Sequence, residues 1–100
     1  MQHRRIWRAV TFMTSKKLTI NNPTGIHARP ATELVKLANR FSCNLQLINH
    51  SNGKVADPKS IFSLLSTAIK AGSSVELKAE GLDEAKAVEQ IAEFIDSLEE

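Results

Sequence analysis

Apolar residues in this chain keep changing their spacing, and the order of those changes leaves few folds open. Over 16–22, KKLTINN, Leu18 and Ile20 flank Thr19 at period two, the mark of a half-buried strand. Pro23, Thr24 and Gly25 then stop the alternation. From Ala31 onward the apolar positions are Ala31, Leu34, Val35, Leu37, Ala38 and Phe41, and this amphipathic stripe predicts a helix over 28–40. CNLQLINH at 43–50 alternates again at Leu45 and Leu47, and Asn52-Gly53 reads as a hairpin turn before a short return strand at 54–56. Asp57 and Pro58 suit the N-cap and first position of a second helix, with Gly72 at its C-terminal end. Val75, Leu77 and Ala79 mark the last strand, and Ala85, Val88, Ile91, Ala92, Ile95 and Leu98 give the strongest helical stripe, over 83–99.

The predicted order is strand, helix, strand, strand, helix, strand, helix. Four short strands with one apolar face, plus three helices, imply a two-layer α+β domain with the helices on one side of a mainly antiparallel sheet. A chain of 100 residues, 42% of them hydrophobic, supports one such core and leaves no room for a second domain. No apolar run approaches the roughly 18 to 20 residues that span a bilayer. Cys43 is the only cysteine, so no internal disulfide is possible, and a lone thiol agrees with a reducing compartment. His3, His27 and His50 lie far apart with no ligand one helical turn on, so no metal site is expected.

The net charge of +2 conceals an uneven distribution. Arg4, Arg5 and Arg8 fall within MQHRRIWRAVTFM, which holds no acid, and the rest of the chain carries ten Lys and Arg against eleven Asp and Glu. That remainder has no nucleic-acid footprint. Residues 1–13 are therefore expected to be an N-terminal extension to a domain at 14–100. Arg8 interrupts an apolar stretch already too short for a secretory signal.

The most informative local feature is PTGIHARPATELVKLANRF at 23–41. Pro30 marks a first helical turn, where a residue lacking an N–H forfeits no helical bond. His27 is then at or just before the helix N-terminus, where amide donors and the positive end of the macrodipole favour an anion by roughly 0.3 to 2 kcal/mol. Arg29 adds a permanent cation two residues on. In its neutral form an imidazole can attack a phosphoryl donor. Once phosphorylated, it would meet donors that stabilise the added charge. A hydrolase would also need a base to activate water, and the nearest acid, Glu33, lies well into the helix. The spacing alone leaves a simple helix-capping histidine equally open.

GIHARPA, followed by an amphipathic helix, closely resembles the active-site segment of the HPr family, the histidine-containing phosphocarriers of the bacterial phosphoenolpyruvate-dependent sugar phosphotransferase system. The likeness runs over about 15–99 and takes in the element order, the Asn-Gly hairpin and KSIFSLLSTAI. It implies an open-faced βαββαβα sandwich in which His27 accepts phosphate on Nδ1 from enzyme I and passes it to an EIIA domain. It also implies that Arg29 holds the phosphate and Pro30 shapes the turn. The chain would then be a carrier and a substrate of phosphotransferase enzymes, not itself an enzyme. A cytoplasmic monomer is expected, with no cofactor, no nucleic acid and no membrane insertion.

Ser60 is expected at about the third position of the second helix, where a phosphate would meet the helix N-terminus favourably. The resemblance makes it the target of an HPr kinase/phosphorylase. Two departures from the family pattern stand beside it: Pro58, where an aliphatic residue is frequent, and Ser63 in place of a common glycine. On a helical wheel Ile61, Phe62, Leu64, Leu65, Ala68 and Ile69 cover about 160°, wider than a core stripe, so Phe62 at the edge is expected to face solvent. The resemblance assigns partner docking to Ile61, Phe62 and Leu65, with Arg29 beside them. The separation of His27 from Ser60 is slightly longer than usual in the sugar-system carriers, which fits the nitrogen-related branch as an alternative. His50, in the lengthened hairpin, is expected to face solvent. Two further alternatives are a small RNA-binding module using the Arg-rich leader, which lacks strand aromatics, and a purely allosteric protein acting through the second helix.

Overall fold

The computed structural model describes residues 13–99. Along them run β1 (Met13–Thr19), α1 (Ala28–Ala38), β2 (Asn44–Asn49), β3 (Lys54–Ala56), α2 (Ile61–Ser66), β4 (Ser74–Glu80) and α3 (Glu84–Asp96). The strands stand in the order β1-β4-β2-β3, and every pairing is antiparallel. The last strand in sequence is thus interior. It pairs from Met13↔Glu80 to Thr19↔Ser74 on one side and from Asn44↔Glu80 to Asn49↔Val75 on the other. This is the expected α+β arrangement.

The period-two pattern divides the sheet into two faces. Leu18, Leu45, Leu47, Val75, Leu77 and Ala79 point to the helices and are buried together with Ala31, Leu34, Leu64, Ala87 and Ile91. Lys17, Gln46 and Lys78 lie on the other, open face. The expected extension 1–13, and with it the basic leader of the RNA-binding alternative, lies outside the described residues except for Met13, which opens β1.

Apart from small shifts at other ends, such as α1 stopping at Ala38 and α3 at Asp96, three differences from the sequence expectation stand out. First, β1 begins at Met13 and ends at Thr19, whereas alternation put the strand at 16–22. As an edge strand it exposes most of its residues, so its start is set by pairing with β4 and leaves no hydrophobic period to read. Ile20 is buried but has left the ladder, exchanging bonds with Ser73 O (3.0 Å) and Gly72 N (2.7 Å). Second, α2 starts at Ile61, three residues after the expected Pro58. Asp57 uses its carboxylate in a local turn, accepting the Lys59 N–H at 2.9 Å, and Ser60 becomes the N-cap. Ser60 therefore precedes the helix and is not its third residue.

Third, α2 ends at Ser66 and does not reach Gly72. Ala68 takes a left-handed conformation, φ 51°, and stops the helix. The Thr67 carbonyl is held from outside by Asn49 Nδ2 at 3.1 Å and Asn52 Nδ2 at 2.9 Å. Gly72, at φ 85°, belongs instead to the turn into β4. The wheel drawn through Ala68 and Ile69 therefore extended past the real helix, although its prediction for Phe62 holds.

Candidate functional site

The segment leading to α1 is shaped by one glycine. Gly25 sits at φ 66°, and a Cβ there would overlap the Ile69 carbonyl oxygen and lie 2.8 Å from Lys70 Cα. This close approach lets the Ile26 N–H reach Ile69 O at 2.9 Å, fastening the turn to the segment after α2. The next residue, His27, is the N-cap of α1, with extended backbone (φ −95°, ψ −167°). Its carbonyl accepts the first helical bond, from Ala31 N at 2.9 Å. Its side chain is half-buried and makes no capping bond to its own helix.

Arg29 is exposed at the second helical position. Pro30 is buried at the third, where its missing N–H would have faced Ile26 outside the helix, so no helical bond is lost. The first turn is steadied by Thr32 Oγ1, which donates to Ala28 O at 2.8 Å. Imidazole, guanidinium and the amide-rich end of an 11-residue helix thus share one corner of the molecule. Such a corner suits a group that gains negative charge on the ring.

Ser60 is elsewhere. Its hydroxyl accepts the Ser63 N–H at 3.3 Å, and Ser63 Oγ in turn accepts the Asp57 N–H at 2.8 Å. Ser63, a departure from the family pattern, therefore helps to build this helix start, and Pro58 is buried in the turn before it. The Lys59 carbonyl accepts from Asn39 Nδ2, at the C-terminal end of α1, at 3.3 Å. Lys59 Nζ donates to Phe41 O and Cys43 O at 2.8 and 2.9 Å. The start of α2 is thus beside the C-terminal end of α1, while the Ile26–Ile69 bond puts the segment after α2 beside the N-terminal end of α1. The two helices therefore run antiparallel, and Ser60 is at the opposite end of α1 from His27, about 18 Å along the axis at 1.5 Å per residue.

Between those two points α2 shows its outer face. Phe62 is 84% exposed and Leu65 42%, while Ile61 is half-buried against the core. An exposed Phe beside an exposed Leu on so short a helix forms an apolar patch of the kind that partners cover.

Away from this corner, three groups among the described residues have displaced pKa values. His50, exposed in the hairpin as expected, meets Glu76 Oε1 at 2.9 Å and holds that carboxyl below its usual range. Asp83 is also held low, first by the Ser42 N–H, from which it accepts at 2.8 Å. Burial, with Asp83 beside it, pushes the Cys43 thiol up to about 11. Among the described residues no three His, Cys, Asp or Glu side chains gather as a metal site, and no helix is long and apolar enough to cross a membrane.

Sequence reading missed the contribution of the 69–70 segment. Gly25 gave the only available hint, as a glycine between proline and histidine. Its partner lies more than forty residues away, and nothing in the local pattern points to it.

Comparison with known proteins adds an independent line. A family model described as the PTS HPr component phosphorylation site matches residues 14–97. The phosphocarrier protein HPr of Buchnera aphidicola subsp. Baizongia pistaciae is 40% identical over 86 residues, 86% of this chain and 99% of its own. That of Buchnera aphidicola subsp. Schizaphis graminum is 39% identical over 87 residues, 87% of this chain and 100% of its own. Among solved structures, HPr of Bacillus anthracis matches with a TM-score of 0.76 at 34% identity, over 82% of this chain and 95% of that one. HPr-C-His of Thermoanaerobacter tengcongensis matches with a TM-score of 0.78 at 34% identity, over 84% and 92%.

Proposed function

Because the chain belongs to the HPr family, the phosphocarriers of the phosphotransferase system, we propose that His27 accepts a phosphoryl group from phosphorylated enzyme I and passes it to EIIA domains for sugar uptake. The observation that carries this reading is the position of His27, N-cap of α1 within the segment matched by the phosphorylation-site model. The Nδ1 lone pair of the neutral ring forms the new bond to phosphorus, and the bond from phosphorus to the donor breaks, its electron pair leaving with the donor. The Nδ1–phosphorus bond breaks in turn when EIIA attacks, which returns the ring to its starting state. Arg29 and the amides of the first turn stabilise the charge on the phosphoryl oxygens. Pro30 keeps the turn in shape. The chain serves as substrate for the transferring enzymes and works in the cytoplasm as a monomer.

Docking falls to Ile61, Phe62 and Leu65, on the helix that runs from Ser60 toward the histidine. Ser60 is the point of regulation, modified by an HPr kinase/phosphorylase: a phosphate there adds about −1.5 to −2 charge at neutral pH next to the docking residues. The longer stretch between His27 and Ser60 favours a second reading, with the same chemistry serving regulatory output on the nitrogen-related branch.

The test is labelling with phosphoenolpyruvate and enzyme I. The expected product is an acid-labile, base-stable phosphate on His27, absent from His27→Ala. Labelling of His27→Ala to the level of the parent overturns the carrier reading.

A further inference from the structure

We propose that Asn22 is a positioning residue for His27, its side-chain amide fixing the peptide plane between Gly25 and Ile26, one residue ahead of the imidazole-bearing residue. Asn22 is buried, 3% exposed, and its Nδ2 donates to the Gly25 carbonyl oxygen at 2.7 Å. The other polar end of the same peptide unit, the Ile26 N–H, donates to Ile69 O at 2.9 Å. A peptide unit is rigid and turns only as a whole about the bonds on either side. With its carbonyl and its N–H both tethered, to two different segments, that turning is stopped. The chain then passes from one fixed plane, through the buried Ile26, to His27.

The tether is needed because the residue before the plane is Gly25, at φ 66°. Glycine has the widest backbone freedom of any residue and supplies no steric limit of its own. Ile69 alone would leave the carbonyl end free to swing. An asparagine at position 22 supplies an N–H donor at the carbonyl. An aspartate of the same shape would present only acceptors to it. This inference rests on His27 being the phosphoryl acceptor, since transfer between two reacting atoms is sensitive to misplacement on the scale of an ångström.

Asn22→Ala, Asn22→Asp and Ile91→Val are compared with the parent as substrates of enzyme I, in the full chain. Ile91 is a fully buried core residue on α3 and reports what a general loss of stability does. In both Asn22 variants kcat is expected to fall about tenfold or more at nearly unchanged KM. The Ile26 amide is expected to exchange hydrogen faster. Ile91→Val keeps the parent rate per folded molecule. Equal rates in Asn22→Ala and Ile91→Val overturn the proposal. Asn22→Ala, which buries no charge, carries the test if Asn22→Asp does not fold. A parent that takes no label at His27 sinks the carrier reading instead. Positioning is then judged from the His27 ring resonances, which must shift in Asn22→Ala and not in Ile91→Val. Unchanged ring resonances overturn it.

Discussion

At the start of α2 the N-cap residue, Ser60, turns its hydroxyl back on its own helix and accepts the Ser63 N–H at 3.3 Å, whereas at the start of α1 the N-cap His27 makes no such bond. The α1 start is built from outside: the left-handed turn at Gly25, its seat on Ile69, and a proline in the first turn. α3 shows a third solution. Asp83, its N-cap, leaves its own helix uncapped and accepts from Ser42 N and Cys43 N at 2.8 and 3.0 Å, while Glu84 accepts the Gly81 N–H at 3.0 Å. A capping side chain tied to its own helix is committed to the fold. Where neighbours hold the backbone instead, the side chain at the same position can be chosen for chemistry.

That contrast is broken most directly at Gly25. Gly25→Ala forces a left-handed alanine and an overlap with backbone, which together cost on the order of 3 kcal/mol. The measurement is urea unfolding. A loss well below about 1 kcal/mol would mean that the seat on Ile69 is not rigid. Ser60→Ala probes the other helix start. Loss of the cap is expected to cost about 1 kcal/mol, with His27 labelling retained. A matching fall in labelling would show that the two helix starts are coupled.

The smallest effect at neutral pH is expected at α3. The Asp83 and Glu76 carboxyls are held below their usual range by the Ser42 N–H and His50 respectively, so the stability they add is present above the unfolded-state pKa. It is lost as pH falls through the lower folded-state values. Asp83→Asn is expected to flatten this acid limb in a series of thermal melts. The Cys43 thiol has the opposite sign: raised from 9.0 to about 11, it contributes stability below 9 that is lost as pH climbs toward 11. Cys43→Ala should remove that alkaline loss.

The order of elements, the helix start at His27 and the exposure of Phe62 could all be read from spacing, because each depends on residues close together in sequence. The limits of α2 could not. Asp57-Pro58 carries a strong N-cap signal, yet the carboxylate closes a turn onto Lys59 and the helix waits for Ser60. Its C-terminal end depends on Asn49 and Asn52 reaching the Thr67 carbonyl from a hairpin 15 or more residues away, and on an alanine in a conformation normally left to glycine. The candidate site divides the same way. His27, Arg29 and Pro30 stand together in the chain, while Ile69, which steadies them, is distant.

The antiparallel course of α1 and α2 has a consequence for control. In physiological salt the field of an added charge decays over about 8 Å, and Ser60 stands well beyond one such length from the imidazole. A phosphate on Ser60 would therefore leave the ring's own reactivity nearly untouched and alter instead the welcome that Phe62 and Leu65 give an approaching protein. Control of this kind decides who may meet the histidine, not what the histidine can do.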